Sequence, residues 1–438
     1  MTDLLRVVTA GSVDDGKSTL VGRLLYDTKS VLADQIEAVH RASVDRGLAT
    51  PDLSLLVDGL RAEREQGITI DVAYRYFATP TRSFVLADTP GHVQYTRNTV
   101  TGASTATLAI LLVDALNGVV EQTRRHTAVL ALLGVPRLVL AINKIDLVDF
   151  DEAVHTVIAK EFAALTSALG WADGDVCTIP VSALRGDNVV TRSPDTPWYT
   201  GPTLLEHLEE VPVLAECDCT ELDCTELDCT ELDCTGLRFP VQYVIRPRTA
   251  DFPDYRGYAG QVASGVVSPG DEVVVLPGGH RSRVHRVDTA DGPLDQAGPG
   301  RSVTLLLADD LDVSRGDLIA AAATPPRLAT ELDATLCWLA ERPLRPGARV
   351  LVKHGTRTTP GIVTTVGPRL DIDTLTAEPA ESLRINDIGR VNLRTAEPLP
   401  VDDYAAARTT GAFLVIDPAD GVTLAAGLIG RDLISPGR

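Results

Sequence analysis

Residues 11–18 read Gly-Ser-Val-Asp-Asp-Gly-Lys-Ser, the spacing Gly-x-x-x-x-Gly-Lys-Ser that cradles the phosphates of a nucleoside triphosphate. Gly11 and Gly16 let the backbone fold into a nest of N–H groups, and Ser12, Val13, Asp14 and Asp15 lie between them in the same binding loop. Lys17 is expected to reach the β- and γ-phosphates and Ser18 to ligate Mg²⁺ through its hydroxyl. Thr19 leads into a helix whose positive N-terminal end faces the same charge. The context agrees: the apolar run Leu4–Val8 precedes the loop as a short buried strand, and Thr19–Leu25 follows at helical spacing. The chain has five lysines, at 17, 29, 144, 160 and 353, and two of them stand in nucleotide motifs. A compact ammonium on a flexible stem suits those places better than a planar guanidinium.

Three further motifs follow in order. Phe84–Asp88 is an apolar strand ending in a carboxylate, so Asp88 emerges at the carboxyl edge of a parallel sheet, where it is expected to hold Mg²⁺, through water. Thr89 and Pro90 carry the chain to Gly91, whose N–H can approach a γ-phosphate and report its presence. After the apolar strand Arg137–Ile142 comes Asn143-Lys144-Ile145-Asp146, which selects the base. The Asp146 carboxylate can accept from N1 and N2 of guanine, whereas adenine offers an acceptor at N1 and nothing at position 2; Asn143 and Lys144 would brace the loop. Ser182-Ala183-Leu184 occupies the place of the loop whose backbone N–H meets guanine O6. The nucleotide is therefore expected to be GTP. Between cradle and Asp88, the charged run Arg61–Glu65 reads as a solvated helix face. Gly67-Ile68-Thr69-Ile70-Asp71 reads as a first switch in which Thr69 caps the metal when γ-phosphate is bound.

Through Gly67–Asp71 and Asp88-Thr-Pro-Gly-His92 the chain resembles the translation-factor class of GTPases. Within that class it is similar to the GTPase subunits of bacterial sulfate adenylyltransferase. The closer match rests on residues 11–20, Leu24-Leu-Tyr-Asp-Thr28, Asp58–Glu65, Val72–Phe77, Tyr95-Thr-Arg-Asn98 and Thr123-Arg-Arg-His126. Elongation factors usually place His or Ser where Asp15 stands and lack the Tyr-Thr-Arg-Asn run. The resemblance implies that His92 positions the attacking water, a role consistent with phosphoryl transfer, which needs chiefly in-line placement and charge neutralisation. It implies a small catalytic subunit as partner, which makes adenosine 5′-phosphosulfate and pyrophosphate from ATP and sulfate. Some relatives carry a fused adenylyl-sulfate kinase; with no second Walker loop before Arg438, that activity is not expected here. Asp14 either holds a monovalent cation near the phosphates or makes a structural hydrogen bond to the loop. The other readings are an elongation factor delivering aminoacyl-tRNA and a stand-alone regulatory GTPase.

Residues 1–214 alternate apolar strands with helical stretches such as Ala153–Leu169, as a doubly wound, mostly parallel α/β domain does. From Phe239 the texture changes to short strands at turn-rich spacing: Phe239–Ile245, Gly257–Val262, Asp271–Leu276 and Ser302–Leu307. A second β-rich stretch begins at Ala334–Leu339 and continues through Ala348–His354, Gly361–Val366, Ile388–Leu393 and Gly411–Ile416. The expected architecture is a P-loop GTPase domain at 1–214, a linker at 215–237, and two small β-barrels at 238–328 and 329–438. The linker contains Cys217-Asp-Cys-Thr and three copies of Glu-Leu-Asp-Cys-Thr, from Glu221 to Thr235, and so holds five of the seven cysteines. Its period of five matches neither helix nor strand, so its thiols would not gather on one face; an exposed low-complexity linker is expected rather than a zinc site.

A chain of 438 residues exceeds one hydrophobic core and suits three. Its net charge of −20 disfavours a nonspecific grip on nucleic acid. With no apolar run of about 20 residues and no signal peptide before the nucleotide loop, neither membrane nor export is expected, and the chain is placed in the cytoplasm.

Overall fold

The computed structural model describes residues 4–45, 51–57, 71–212, 236–247 and 255–432. Gly67, Ile68, Thr69 and Ile70 of the expected switch, the run Arg61–Glu65 and the Glu-Leu-Asp-Cys-Thr repeat lie outside the described residues. The chain divides into two compact units, Met1–Leu214 with Asp371–Leu375, and Ala215–Leu370 with Thr376–Arg438.

The first unit is built on a six-stranded sheet. Its strands are β1 (Leu4–Gly11), β2 (Ala73–Ala78), β3 (Ser83–Asp88), β4 (Leu108–Asp114), β5 (Arg137–Asn143) and β6 (Val176–Pro180), in the order β2-β3-β1-β4-β5-β6. Every pairing is parallel except that of the edge strand β2 with β3. Both β4 and β5 are buried almost along their whole length, so they read as unbroken apolar runs rather than alternating ones. The helix α1 (Lys17–Asp27) follows β1 directly, and its Leu20, Val21, Leu24 and Leu25 join the core with Leu5, Val7, Leu86 and Ile110. From β1 the chain moves out to the edge strand β2, returns through β3 beside β1 and then crosses to β4 on the other side, so strand order reverses at β1. Ligand crevices of doubly wound sheets lie outside the carboxyl ends at such a reversal.

The second unit holds two closed barrels. In the first, β7 (Arg238–Ile245), β8 (Gly257–Gln261), β9 (Glu272–Leu276), β10 (His280–Thr289), β12 (Ser302–Leu307) and β13 (Leu318–Ala321) run β10-β12-β8-β7-β13-β9, and β9 pairs back with β10. The short β11 (Gly292–Leu294) hangs on β10. In the second, β14 (Arg327–Trp338), β15 (Arg349–His354), β16 (Arg357–Leu370), β18 (Ile388–Val401), β19 (Ala412–Ile416) and β20 (Thr423–Ile429) run β15-β19-β20-β14-β18-β16, closed by β15 on β16. The two-residue β17 (Ala377–Glu378) hangs on β16. Closure removes the open edges that would otherwise invite pairing with other chains.

Strand β10 escapes an apolar-run reading because its sequence, His-Arg-Ser-Arg-Val-His-Arg-Val-Asp-Thr, is dominated by outward-facing charge. Only Ser282, Val284 and Val287 turn inward, and a register shift after Val284 breaks their alternation. Strand β20 escapes it because Ala425, Ala426 and Gly427 are small where the partner Phe413 is large: a side chain at 427 would collide with the Phe413 ring.

Candidate nucleotide-binding site

The parallel strands deliver their last residues to one edge of the sheet. Thr9 aligns with Asp88, Asp114 with Asn143, and Ile142 with Pro180. The loop after β1 therefore faces the loops after β3, β5 and β6 from the start.

Glycine is required at three points around the phosphate loop. Gly16 caps α1 at φ 90°, and a Cβ there would run into the Asn143 amide. At Gly11 a Cβ would stand 2.9 Å from the Leu112 carbonyl oxygen. At Gly91 it would press on the Lys17 ammonium and come within 2.7 Å of the Ser12 carbonyl oxygen. The segment after Asp88 thus lies directly against the cradle, as the spacing of the motifs predicts. Lys17, only 7% exposed, donates to Gly11 O at 3.1 Å and Ser12 O at 2.6 Å, which leaves one of its three N–H groups for a ligand. Burial pushes its pKa down, and the carboxylates of Asp88, Asp15 and Asp14 work the other way. An anionic ligand would restore the balance.

Asp88 is fully buried, with Oδ1 accepting from Thr9 Oγ1 at 2.7 Å. Ser18 stands in the first turn of α1. The Asp88 carboxylate and the Ser18 hydroxyl are oxygen donors of the kind a hard cation such as Mg²⁺ takes. The Thr89 hydroxyl is turned into the sheet, donating to Thr9 O at 2.6 Å, so Thr89 faces the cradle with its backbone alone. His92 packs edge-on against Tyr95, ring centroids 6.0 Å apart, and its buried Nδ1 has no hydrogen-bond partner among the described residues. Asp14 adopts φ 66°, is exposed, and makes no hydrogen bond among the described residues. Val13 is exposed at the same loop tip.

Asp15 is buried, and Ser12 N donates to its Oδ2 at 2.5 Å. Desolvation raises its pKa from 3.8 to about 6, against the opposing pull of Lys17. Asn143 joins the two halves of the site: its Nδ2 donates to Asp15 O at 2.6 Å, and its Oδ1 accepts from Ala183 N at 2.9 Å. Lys144, at φ 61°, pairs with Asp114 at 2.8 Å. Asp146 lies half-buried in the turn Ile145–Val148, with no hydrogen bond from the described residues. Ser182 N donates to Asp187 O at 3.2 Å, and with Ala183 N on Asn143 the N–H of Leu184 is the one in this loop without an acceptor among the described residues.

Three contributors carry no assigned role in the motif reading. Asp114 ends an apolar strand just as Asp88 does, so the signal that found one could have found the other. His126, in the quoted run Thr123-Arg-Arg-His126, is fully buried; Gly11 N donates to its Nδ1 at 3.1 Å and the Gln122 amide faces its Nε2 at 2.9 Å. With Nδ1 accepting, the ring proton sits on Nε2, so the amide oxygen of Gln122 belongs on that side. Burial, with Lys17 and Arg125 adding to it, lowers the pKa of His126 to about 3, and the ring stays neutral. Arg23 on α1 reaches the 182–184 loop, and no local pattern marks it.

Family models match two stretches: "Elongation factor Tu GTP binding domain" over residues 2–215 and "GTP-eEF1A C-terminal domain-like" over 331–430. The chain is 53% identical over 435 residues to the bifunctional enzyme CysN/CysC of Mycobacterium tuberculosis, covering 99% of this chain and 68% of that protein. It is 47% identical over 433 residues to sulfate adenylyltransferase subunit 1 of Cellvibrio japonicus, covering 98% and 87%. In fold it is similar to the GTPase-like domain of S. cerevisiae Ski7 in a crystal structure with GDP and inorganic phosphate, at TM-score 0.54, 18% identity and 98% coverage of both chains.

Proposed function

We propose, for a chain that belongs to the family of sulfate adenylyltransferase subunit 1, that it binds and hydrolyses GTP and couples that hydrolysis to sulfate activation in sulfate assimilation. One observation carries the reading: likeness to a subunit 1 over 98% of the chain coincides with a phosphate cradle and a base loop tied together through Asn143. The Cellvibrio japonicus relative bears the name sulfate adenylyltransferase subunit 1 rather than that of an elongation factor, which favours this over delivery of aminoacyl-tRNA.

The adenylyl transfer itself belongs to a partner, a small catalytic subunit. There a sulfate oxygen attacks the α-phosphorus of ATP and pyrophosphate leaves, giving adenosine 5′-phosphosulfate. That anhydride is strongly uphill, so a coupled hydrolysis of GTP that drives it makes chemical sense. Coupling runs through contacts that differ between the GTP and GDP states of this chain.

Within the chain, the Gly11–Gly16 nest and the N-terminus of α1 bind the phosphates, and the free N–H of Lys17 neutralises β/γ charge as the bond to the leaving group lengthens. Ser18 and Asp88 are the described residues that would hold Mg²⁺, with Thr69 as the third, and the ion would supply positive charge against the phosphates. Gly91 N–H approaches the γ-phosphate because nothing larger than hydrogen fits between it and Lys17. His92 orients the attacking water; its buried, unpartnered Nδ1 supports a polar duty at that place. Asp146 takes the guanine N1 and N2 protons. Among the described residues no helix is long and apolar enough to cross a membrane, and a cytoplasmic site of action fits the chemistry.

The test is co-expression with the candidate catalytic subunit, purification, and measurement of GTP turnover with and without ATP plus sulfate. Turnover that rises only when both are present supports the coupling. If no partner co-purifies and ATP plus sulfate never alters GTP turnover, the reading fails.

A further inference from the structure

Arg23 sits on α1, one and a half turns beyond the phosphate loop, yet its guanidinium is spent on the base loop. Nε donates to Ala183 O at 3.2 Å, one terminal nitrogen donates to Leu184 O at 2.6 Å, and the other pairs with Asp27 at 3.4 Å. The stem runs along Gly186, which at φ 92° lets the loop pass close: a Cβ there would lie 3.5 Å from both Arg23 Cδ and Asp27 Oδ2. The guanidinium is thus held from four sides, by two carbonyls, a carboxylate and the face of the Gly186 turn.

A trans peptide is planar, with C=O and N–H pointing in opposite directions. Pinning the Ala183 carbonyl toward α1 therefore aims the Leu184 N–H away from α1. That N–H is the one in the 182–184 loop with no acceptor among the described residues, since Ser182 N is taken by Asp187 O and Ala183 N by Asn143 Oδ1. We propose that Arg23 is a specificity-determining positioning residue: by clamping the Ala183 and Leu184 carbonyls it aims the Leu184 N–H at the exocyclic oxygen of guanine. This rests on the guanine reading of the site. It divides base recognition in two, with Asp146 reading the 2-amino and N1 protons and the clamped peptide reading position 6. The rigid fork of an arginine can hold two carbonyls at once, which a single lysine ammonium on a flexible stem does less well.

The division is tested by titrating the full chain with GTP, ITP, 6-thio-GTP and ATP, in the wild type, Arg23→Ala and Arg23→Lys. ITP keeps O6 and lacks the 2-amino group; 6-thio-GTP keeps N1–H and the 2-amino group and replaces O6 with sulfur, a weak acceptor. In Arg23→Ala, affinity for GTP and for ITP is expected to fall together by about tenfold, the scale of one hydrogen bond, while 6-thio-GTP is barely affected. The preference for GTP over 6-thio-GTP then collapses and that over ITP survives. Arg23→Lys keeps the charge and should fall between, and it carries the test if the alanine variant melts early. Equal loss for all three guanine-type ligands, or no loss for any, overturns the assignment. A wild type that binds ATP as tightly as GTP overturns the guanine reading itself, and the inference with it.

Discussion

Asp15 places a carboxylate inside a loop built for anions. Burial lifts its pKa to about 6 from an ordinary 3.8, so between those values the folded chain holds a proton that the unfolded chain has released. Stability therefore falls as pH rises through this window: the group is neutral in both states at the acid end, and above about 6 the folded state carries a buried charge. Asp15→Asn keeps an acceptor for Ser12 N–H and removes the titration. The melting temperatures of the variant and the wild type should match near pH 4, and the variant should gain by several degrees as pH passes 6, read by thermal melts across that range. A constant difference at every pH would show that the carboxyl does not titrate there. Residues of this kind were legible as members of a motif, not by their duty: nothing in Gly-Ser-Val-Asp-Asp-Gly-Lys-Ser says that the second aspartate is buried and the first exposed.

The phosphate loop as an element is anchored from below by a neutral imidazole. Gly11 N–H is given to His126 Nδ1, and the Gly11 carbonyl receives the Lys17 ammonium, so both sides of the Gly11 residue are spoken for before a ligand arrives. His126→Ala removes the acceptor and leaves a cavity under the loop. Affinity for GTP is expected to drop about tenfold, with about 2 kcal/mol lost in stability, while His126→Gln, which keeps an acceptor, should recover part of both. Calorimetric titration and chemical denaturation of the two variants check it. The elements themselves were readable where a run was apolar: β3 and β5 fall within one residue of their expected places, and β1 begins where expected and runs three residues further, to Gly11. What failed to show were β10, whose outward arginines mask an inward stripe, and partnerships across 115 residues, as between Gly11 and His126, or 160, as between Arg23 and Ala183. Such pairs are set by how strands are ordered in the sheet, and a linear pattern carries no record of that.

At the scale of the whole molecule, the two barrels of the second unit are joined through a buried ion pair. Arg238, at the start of the first barrel and 3% exposed, reaches Asp402 at the end of β18 in the second, with contacts of 2.8 and 3.0 Å. Thr410 Oγ1 donates to the same carboxylate at 2.6 Å, and His354 meets Thr410 O at 2.7 Å. Burial works against ionisation of Asp402, but the hydrogen bonds of Arg238 and Thr410 outweigh it and hold the carboxyl below its usual range. Removing one partner strands the other. Arg238→Met should therefore cost about 3 kcal/mol or more, whereas the double variant Arg238→Met with Asp402→Leu should regain much of that, read by denaturation of the full chain. If the single variant were as stable as the wild type, the pair would contribute nothing to holding the barrels together.

The Asn143 bridge has a consequence for how such a site can change over generations. Its two ends attach to main-chain atoms, the carbonyl of residue 15 and the N–H of residue 183, and neither bond depends on which side chain those positions carry. A lineage can thus rewrite position 15, and with it the chemistry inside the phosphate loop, without loosening the joint to the base loop. The tolerance stops one residue later, at Gly16, where any side chain would strike the Asn143 amide. Diversification is permitted on one side of a single peptide bond and closed on the other.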